Sequence, residues 1–483
     1  MSIEADLAVV GAGLAGLTAA SRAAELGCRV VVVEKGEDER YLCNSRIATG
    51  VLNVAHTDPH SDPAVLRKAI EVDTEDYAAP ALADALAATA GRAMQWLRSQ
   101  GARLINVPIH GTSRWMLAPP RTLSAGLDWQ GRGADVLLQT LAGNLKRHGG
   151  TLMLATRALR LCMEGKACVG VAVDQGDRVF DLRARSVLLA DGGFQGNAQL
   201  VKRFISPRPD CLTQRSAGTG QGDALMMAEA AGARLTEAGS FYGHLLARDS
   251  LTNSRLWPYP TMDTLVGGAI MVDRHGRRFL DEGLGGIALS NALARSDDPL
   301  AATAVFDQAI WNSAGRAELV PPNPQLLTAG GTLLSASGLA ALATEIGVPV
   351  DNLQHTIATY NQAVAAGEGG RLDPPRSSGR VFGESRGSGK RVSPMPIAIP
   401  PYHAIRLVAG ISYTMGGIEI DARARVIGKD GAAISGLYAA GSCTGGLEGG
   451  PLGGYVGGLM KAVGLGLIAA EEIGAMVDAG APS

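Results

Sequence analysis

Residues 5–34, ADLAVVGAGLAGLTAASRAAELGCRVVVVE, join an apolar run, Leu7 to Val10, to the glycines Gly11, Gly13 and Gly16. A helical stretch from Leu14 to Leu26 stops at Gly27, and a second apolar run, Val30 to Val33, ends on Glu34. The order reads strand, tight turn, helix, strand, acid. Gly11 lets the backbone turn sharply, Gly13 lets it approach a pyrophosphate, and Gly16 lets helix and strand pack closely. A pyrophosphate would rest on the free N–H groups and positive end of the helix. Glu34, with Lys35 beside it, stands about 20 residues on, the spacing for a carboxylate that takes ribose hydroxyls. An acid there disfavours a 2'-phosphate, so FAD or NAD is expected over NADP.

At 483 residues the chain exceeds what one core usually supports, so at least two domains are expected. Hydrophobic residues make up 46% and charged residues 19%, and Lys plus Arg (44) nearly balance Asp plus Glu (46). That composition recruits neither nucleic acid nor an anionic membrane. Glu4 and Asp6 lie where a secretory signal would be basic. The stretch Leu452 to Ala470 is glycine-rich, is interrupted by Lys461 and reads as a buried helix. The six cysteines include no CxxC pair and the histidines no HExxH, so no metal is expected, and cytoplasmic, reduced thiols fit.

Further on, Asn44, Ser45, Thr49 and Gly50 form a small polar loop suited to lie along an extended cofactor. Helical periodicity spans Asp62 to Gln100. A loop from Val107 to Arg121 carries Arg114 and Trp115, candidates to line a site for an anionic or carbonyl substrate. A helix from Gly133 to His148 precedes short runs, Thr151 to Thr156, Cys168 to Val173 and Arg178 to Leu182, that read as antiparallel strands beside the nucleotide unit. The apolar strand from Ser186 ends in Asp191, Gly192 and Gly193, and Asp223 opens a helix after a second glycine-rich turn. From about Tyr242 to Pro400 no nucleotide signature appears; a helix is expected from Leu300 to Ser313, another from Asp351. Eleven glycines then fall between Gly441 and Gly466, among them Gly454, and Ser442 sits beside the first. Glycine costs roughly 0.5–1 kcal/mol each inside a regular element, so a planar ring lying against bare main chain is the simplest reason for that density. A helix starting near Gly454 would aim its positive end at that ring.

GAGLAG with Glu34, CNSRIATG, LLADGGFQGN, GTGQGDALMMAEAAGA, RRFLDEG, SYTMGGIEID and GLYAAGSCTGG together resemble the flavoprotein family of fumarate reductases and succinate dehydrogenases. That family also contains 3-ketosteroid, urocanate and tricarballylate enzymes. The resemblance implies an α/β fold: a Rossmann-like FAD-binding domain built from residues 1–241 and 401–483, with an inserted α+β capping domain at 242–400. It implies FAD contacts from Gly11, Gly13, Gly16, Glu34, Asn44, Ser45, Gly50, Asp223 and Ser442, with Lys35, Thr49, Asp191, Gly192, Gly441 and Gly454 adjoining. Members that attach FAD covalently use a histidine in the segment occupied here by CNSRIATG, so noncovalent FAD is expected.

Departures from the family pattern bear on function. Gly285 and Gly286 stand near the place of the family's proton-donating arginine, and Tyr413 and Pro451 replace its substrate-clamping histidine and arginine. The expected activity is hydride transfer between flavin N5 and a C–C or C=C bond beside a carbonyl, in a ketone or unsaturated small acid. Such chemistry needs a donor on the carbonyl oxygen and an acid or base at the α carbon. Tyr413 and Tyr455 are the candidates, with the plain alternative that each only packs against the ring. His403 follows, then Tyr402, His244, Tyr259 and Glu282, the last paired with Arg277 or Arg278 if structural. Two other readings remain open: di- or tricarboxylate chemistry with Arg114, Arg121, Arg255 or Arg295 as clamps, and an FAD protein without turnover. The electron carrier is left unassigned, and neither nucleic acid nor membrane is expected as a partner.

Overall fold

The computed structural model describes residues 3–109, 112–122, 124–176, 178–378 and 393–479. Its first sheet is built on β1 (Ile3–Val10), β2 (Val30–Val33), β3 (Thr151–Met153), β4 (Arg178–Leu189) and β5 (Ala433–Ala439), in the order β3-β2-β1-β4-β5 with neighbours parallel. Chain order reverses across β1 and β4, which opens a crevice at their carboxyl ends. β2 is buried along its whole length, as a parallel strand covered on both faces must be. The hairpin Arg157–Glu164 and Ala167–Gln175 adds antiparallel strands through the first half of β4. Of the strands read between Thr151 and Leu182 as antiparallel, β3 is therefore parallel. It lies on the outer side of β2.

Gly11, at φ +95°, makes the turn after β1 that no side chain would permit; a Cβ there would sit 2.7 Å from Asp191 Cα. Helix α1 (Leu14–Glu25) follows, and a Cβ at Gly16 would lie 1.9 Å from the Gly11 carbonyl oxygen. The glycines do the steric work read from the sequence.

A second sheet gathers around the long strand Tyr402–Met415. It pairs with Thr213–Gln214, Ser240–Ala247, Thr303–Asp307 and Leu334–Ala336, and Ile270–Val272 joins at the edge. Ala404, Ile405 and Leu407 enter a core with Leu245, Val266, Phe306 and Leu353. Ala409 and Ile411, further along the same strand, enter the core of the first sheet. No clean cut at residues 400 and 401 therefore separates the two cores.

Several local expectations change. The helix expected from Leu300 to Ser313 is the buried strand Thr303–Asp307 followed by a short helix, Gln308–Asn312. The β-branched and aromatic residues Thr303, Val305 and Phe306 pair there rather than coil. The loop from Val107 to Arg121 is largely the hairpin Leu104–Ile109 and Thr112–Leu117. The periodic stretch Asp62 to Gln100 divides into Pro63–Thr74 and Pro80–Ser99, each opened by proline, which tolerates a first helical turn. The Gly-, Ser-, Arg- and Pro-rich stretch from Gly367 to Pro401 reads as a loop, and its residues 379–392 lie outside the described residues. Helix α2 is Asp223–Ala230 and α3 is Gly286–Arg295. Helix α4, Gly458–Ala479, packs on α1. Among the described residues no helix is long and apolar enough to cross a membrane.

Candidate active site

One continuous cavity runs from the glycine turn at Gly11 and Gly13, past Asn44, Ser442 and Gly458, to Tyr242, Tyr259 and Asp263 under the second sheet. Its first half belongs to the parallel sheet. Gly13 caps α1, and the Leu14 N–H donates to Ser45 Oγ at 3.0 Å. Glu34 accepts the Ala12 N–H through Oε2 and the Gly36 N–H through Oε1, both at 2.9 Å. Its carboxylate therefore fixes the turn, with part of its acceptor capacity remaining for a ligand. Asn44 ties two distant segments together, donating to Ser412 O and accepting from Ala217 N at 2.8 Å each.

Asp191 accepts the Ala224 N–H at the start of α2, and its Oδ1 is buried without a partner. Burial raises its pKa to about 7. Lys35 donates to Thr219 O at 2.8 Å and lies 3.3 Å from Asp223, whose other oxygen holds Arg157 at 2.9 Å. Asp223 is thus already committed to two cations. Gly11, Gly13, Glu34, Lys35, Asn44, Ser45, Thr49, Asp191, Gly192, Asp223, Gly441 and Ser442 all line the cavity. Gly16 and Gly50 stand behind it, the latter beside Leu117. Gly454 hydrogen-bonds across a tight turn to Gly449 instead, and α4 begins four positions later, at Gly458. A bare glycine turn, a helix start and an unpartnered polar atom along one crevice fit an extended dinucleotide.

The far half is aromatic. Tyr242 stacks on Tyr413 with ring centroids 5.2 Å apart and meets Tyr455 at 4.9 Å. Tyr455 in turn lies 4.9 Å from the His56 ring. Arg114, on the hairpin, reaches His56 Nδ1 at 3.4 Å. Burial first, then the Arg114 charge, drops the His56 pKa to about 3, so the ring is neutral. Behind Tyr242 runs a chain of hydrogen bonds: its hydroxyl lies 3.2 Å from His244 Nε2, and His244 Nδ1 lies 2.5 Å from Asp263. Asp263 also accepts the Leu245 N–H at 2.9 Å. Glu318, at the same end, has its pKa lifted to about 7 by burial.

Tyr413 and Tyr455 both line the cavity, and their environment favours the phenol over the phenolate. Burial and then Glu448 hold Tyr413 well above its ordinary value, and Tyr455 is pushed up to about 12 by the same two causes. Burial and the Glu448 carboxylate thus leave neither tyrosine set up as a free phenolate.

His403 is not at the cavity. It sits in the second sheet, 3.0 Å from Gln308 Oε1 and against Phe306 and Trp311, because strand alternation turns it into that core. Tyr402 points to Ala398 O. Glu282 pairs with Arg278 at 2.6 Å. Among the alternative clamps, Arg114 and Arg121 line the cavity. Arg255 bonds to Thr328 O, and Arg295 to Gly239 O and Pro451 O. Arg215, not singled out from the sequence, joins them at the cavity and shares the Tyr259 ring with Arg121, at 5.4 and 5.6 Å. His56, Tyr242 and Glu448 were likewise not singled out; for His56 the only local sign is its place just beyond the small polar loop.

The family model described as an FAD binding domain matches residues 6–455. A fumarate reductase (cytochrome) of Shewanella frigidimarina is 26% identical over 462 residues, covering 92% of this chain and 72% of that protein. A 4-oxocyclohexanecarboxylate 2-dehydrogenase of Sinomonas cyclohexanicum is 31% identical over 341 residues, 66% of this chain and 56% of the relative. Among solved structures, a 3-ketosteroid delta1-dehydrogenase from Sterolibacterium denitrificans matches with a TM-score of 0.74 at 21% identity, over 98% of this chain and 100% of that one.

Proposed function

The chain belongs to the FAD binding domain family and is an FAD-dependent oxidoreductase acting on CH–CH groups, and from that premise we propose that its substrate is a small ketone whose carbonyl activates the bond. The observation that carries this reading is the cluster of Tyr413, Tyr242, Tyr455 and neutral His56 at one end of the cavity.

When bound, FAD supplies the acceptor or donor of hydride. The chain's own residues do the rest. Tyr455, kept protonated, donates a hydrogen bond to the carbonyl oxygen, where negative charge develops as the α carbon loses its proton. Tyr413 faces the α carbon and moves the proton there. Tyr242, its hydroxyl held by the His244 and Asp263 chain, closes the pocket. The second sheet serves as the cap that excludes water, and noncovalent attachment of FAD follows from a CNSRIATG segment without histidine.

Arg114, Arg121 and Arg215 at the cavity favour an acidic substituent on the ketone, and they support di- or tricarboxylates as the second reading. Asp263 argues against fumarate-type chemistry, since it occupies the space beside Gly286, near the position matched to the family's proton-donating arginine. Tyr413→Phe and Tyr455→Phe test the assignment through the rate of anaerobic flavin bleaching by 4-oxocyclohexanecarboxylate and cyclohexanone. Each should slow bleaching roughly 10²-fold or more. Wild-type rates in both variants would overturn it.

A further inference from the structure

Beneath Tyr413 lies a fully buried ion pair that the reaction outlined above does not use. Glu448 Oε1 accepts the Tyr413 hydroxyl at 3.1 Å and the Val456 and Gly457 N–H groups at 3.0 Å each. Glu448 Oε2 lies 3.4 Å from Lys461 Nζ, which also donates to Thr444 O at 3.0 Å. Both side chains are withdrawn from solvent, at 0% and 1% exposure. A buried pair of this kind gives weak or no net stabilisation relative to apolar packing, so its presence asks for another role.

Geometry supplies one. A phenol whose proton is given to a carboxylate turns its oxygen lone pairs elsewhere, and the Tyr413 ring borders the cavity, against Gly458 at the start of α4. We propose that Glu448 is a positioning residue acting through Tyr413: it holds the hydroxyl proton and makes the phenol oxygen the acceptor at the substrate's α carbon. The inference rests on the ketone reading. In the oxidative direction the substrate C–H proton forms a new bond to Tyr413 Oη while the original Oη proton passes to Glu448 Oε1. The bond electrons left on the α carbon enter the forming C=C as the β C–H bond breaks, its hydrogen and electron pair being what FAD would accept when bound. Tyr413 is a neutral phenol before and after, so no free phenolate is required in a site that disfavours one. Lys461 is the fixed opposite charge beside the carboxylate, and reduction runs the same handoff backwards.

The test is stopped-flow bleaching of the FAD-loaded enzyme by 4-oxocyclohexanecarboxylate and cyclohexanone under anaerobic conditions. Glu448→Gln should lower the limiting rate roughly 10²-fold or more with little change in the half-saturating concentration. Glu448→Asp should restore part of the rate. Tyr413→Phe combined with Glu448→Gln should be no slower than either single variant, since residues acting as a unit are not additive. If Glu448→Gln does not fold around its unmatched lysine, Glu448→Gln with Lys461→Met removes both charges and is measured in its place. A wild-type rate in the glutamine variant beside a slow Tyr413→Phe enzyme overturns this inference and leaves the ketone reading standing. Losses that multiply in the double variant also overturn it. An unimpaired Tyr413→Phe variant overturns this inference, and a wild-type enzyme bleached by neither ketone overturns the reading and this inference together.

Discussion

Asp263 fills the space that a side chain at Gly286 would need: a Cβ there would lie 1.9 Å from the Asp263 carboxyl carbon. The carboxylate is held in place by His244 and the Leu245 N–H, so it cannot swing away cheaply. Gly286→Ala should destabilise the protein by about 1–3 kcal/mol, the usual cost of overpacking. Thermal midpoints check this, and adding Asp263→Ala should remove most of the Gly286→Ala increment. Gly286→Arg alone should not produce fumarate reduction.

Gly11 and Gly13 separate folding from cofactor binding. Gly11→Ala forces a side chain to φ +95° against the Asp191 backbone. It should cost of order 1–3 kcal/mol from the backbone conformation alone and yield poorly folded protein. At Gly13 the backbone is extended (φ -70°, ψ -176°), and the nearest atom to a Cβ is Ser45 Oγ at 3.4 Å. Gly13→Ala should therefore fold with a near wild-type apo melting temperature yet bind FAD weakly, as measured by flavin content and titration with free FAD.

Asp191 should make stability pH-dependent. Its pKa is raised by burial from 3.8 to about 7, so between those values the folded state holds a proton that the unfolded state has lost. Its stabilising contribution is whole below pH 3.8 and is lost as pH rises through about 7, with a slope of at most ~1.4 kcal/mol per pH unit. Midpoints of the wild type between pH 4 and 8 should fall more steeply than those of Asp191→Asn.

His403→Ala should leave the rate of flavin bleaching unchanged while lowering the melting temperature, because the ring packs with Phe306 and Trp311 and bonds to Gln308. A selective loss of rate in a well-folded variant would return His403 to the site.

FAD should be released into the supernatant on acid precipitation, in keeping with noncovalent binding. Flavin fluorescence remaining with the protein in a denaturing gel would contradict that.

The nucleotide-binding half was legible because its constraints are local. The Gly11 turn, the Gly16 contact and the buried strand of four valines are each specified within a few residues. Element type failed where tertiary pairing overrode local pattern, as at Thr303–Asp307, which lies between Ile270–Val272 and a strand about a hundred residues further on. The substrate end was less legible, because Tyr242, Tyr413, Tyr455, His56 and Arg114 converge from separate segments, and no spacing announces their meeting. Tyr413 and Tyr455 were reached only because the family resemblance places their glycine-flanked segments at the flavin, and Tyr413 itself lies on the strand Tyr402–Met415. Lys461 read only as an interruption of an apolar stretch and Glu448 was not singled out, until the fold brought them together under Tyr413.

The account stands most directly on which carbon–carbon bonds the enzyme will exchange hydrogen with. Anaerobic mixing of the FAD-loaded protein with 4-oxocyclohexanecarboxylate, cyclohexanone, succinate and tricarballylate, and of the photoreduced protein with cyclohexenone and fumarate, reads this in the flavin absorbance. The account predicts bleaching by a ketone and reoxidation by the conjugated ketone, with succinate and fumarate inert. Rapid bleaching by succinate or reoxidation by fumarate, with the ketones inert, would contradict it.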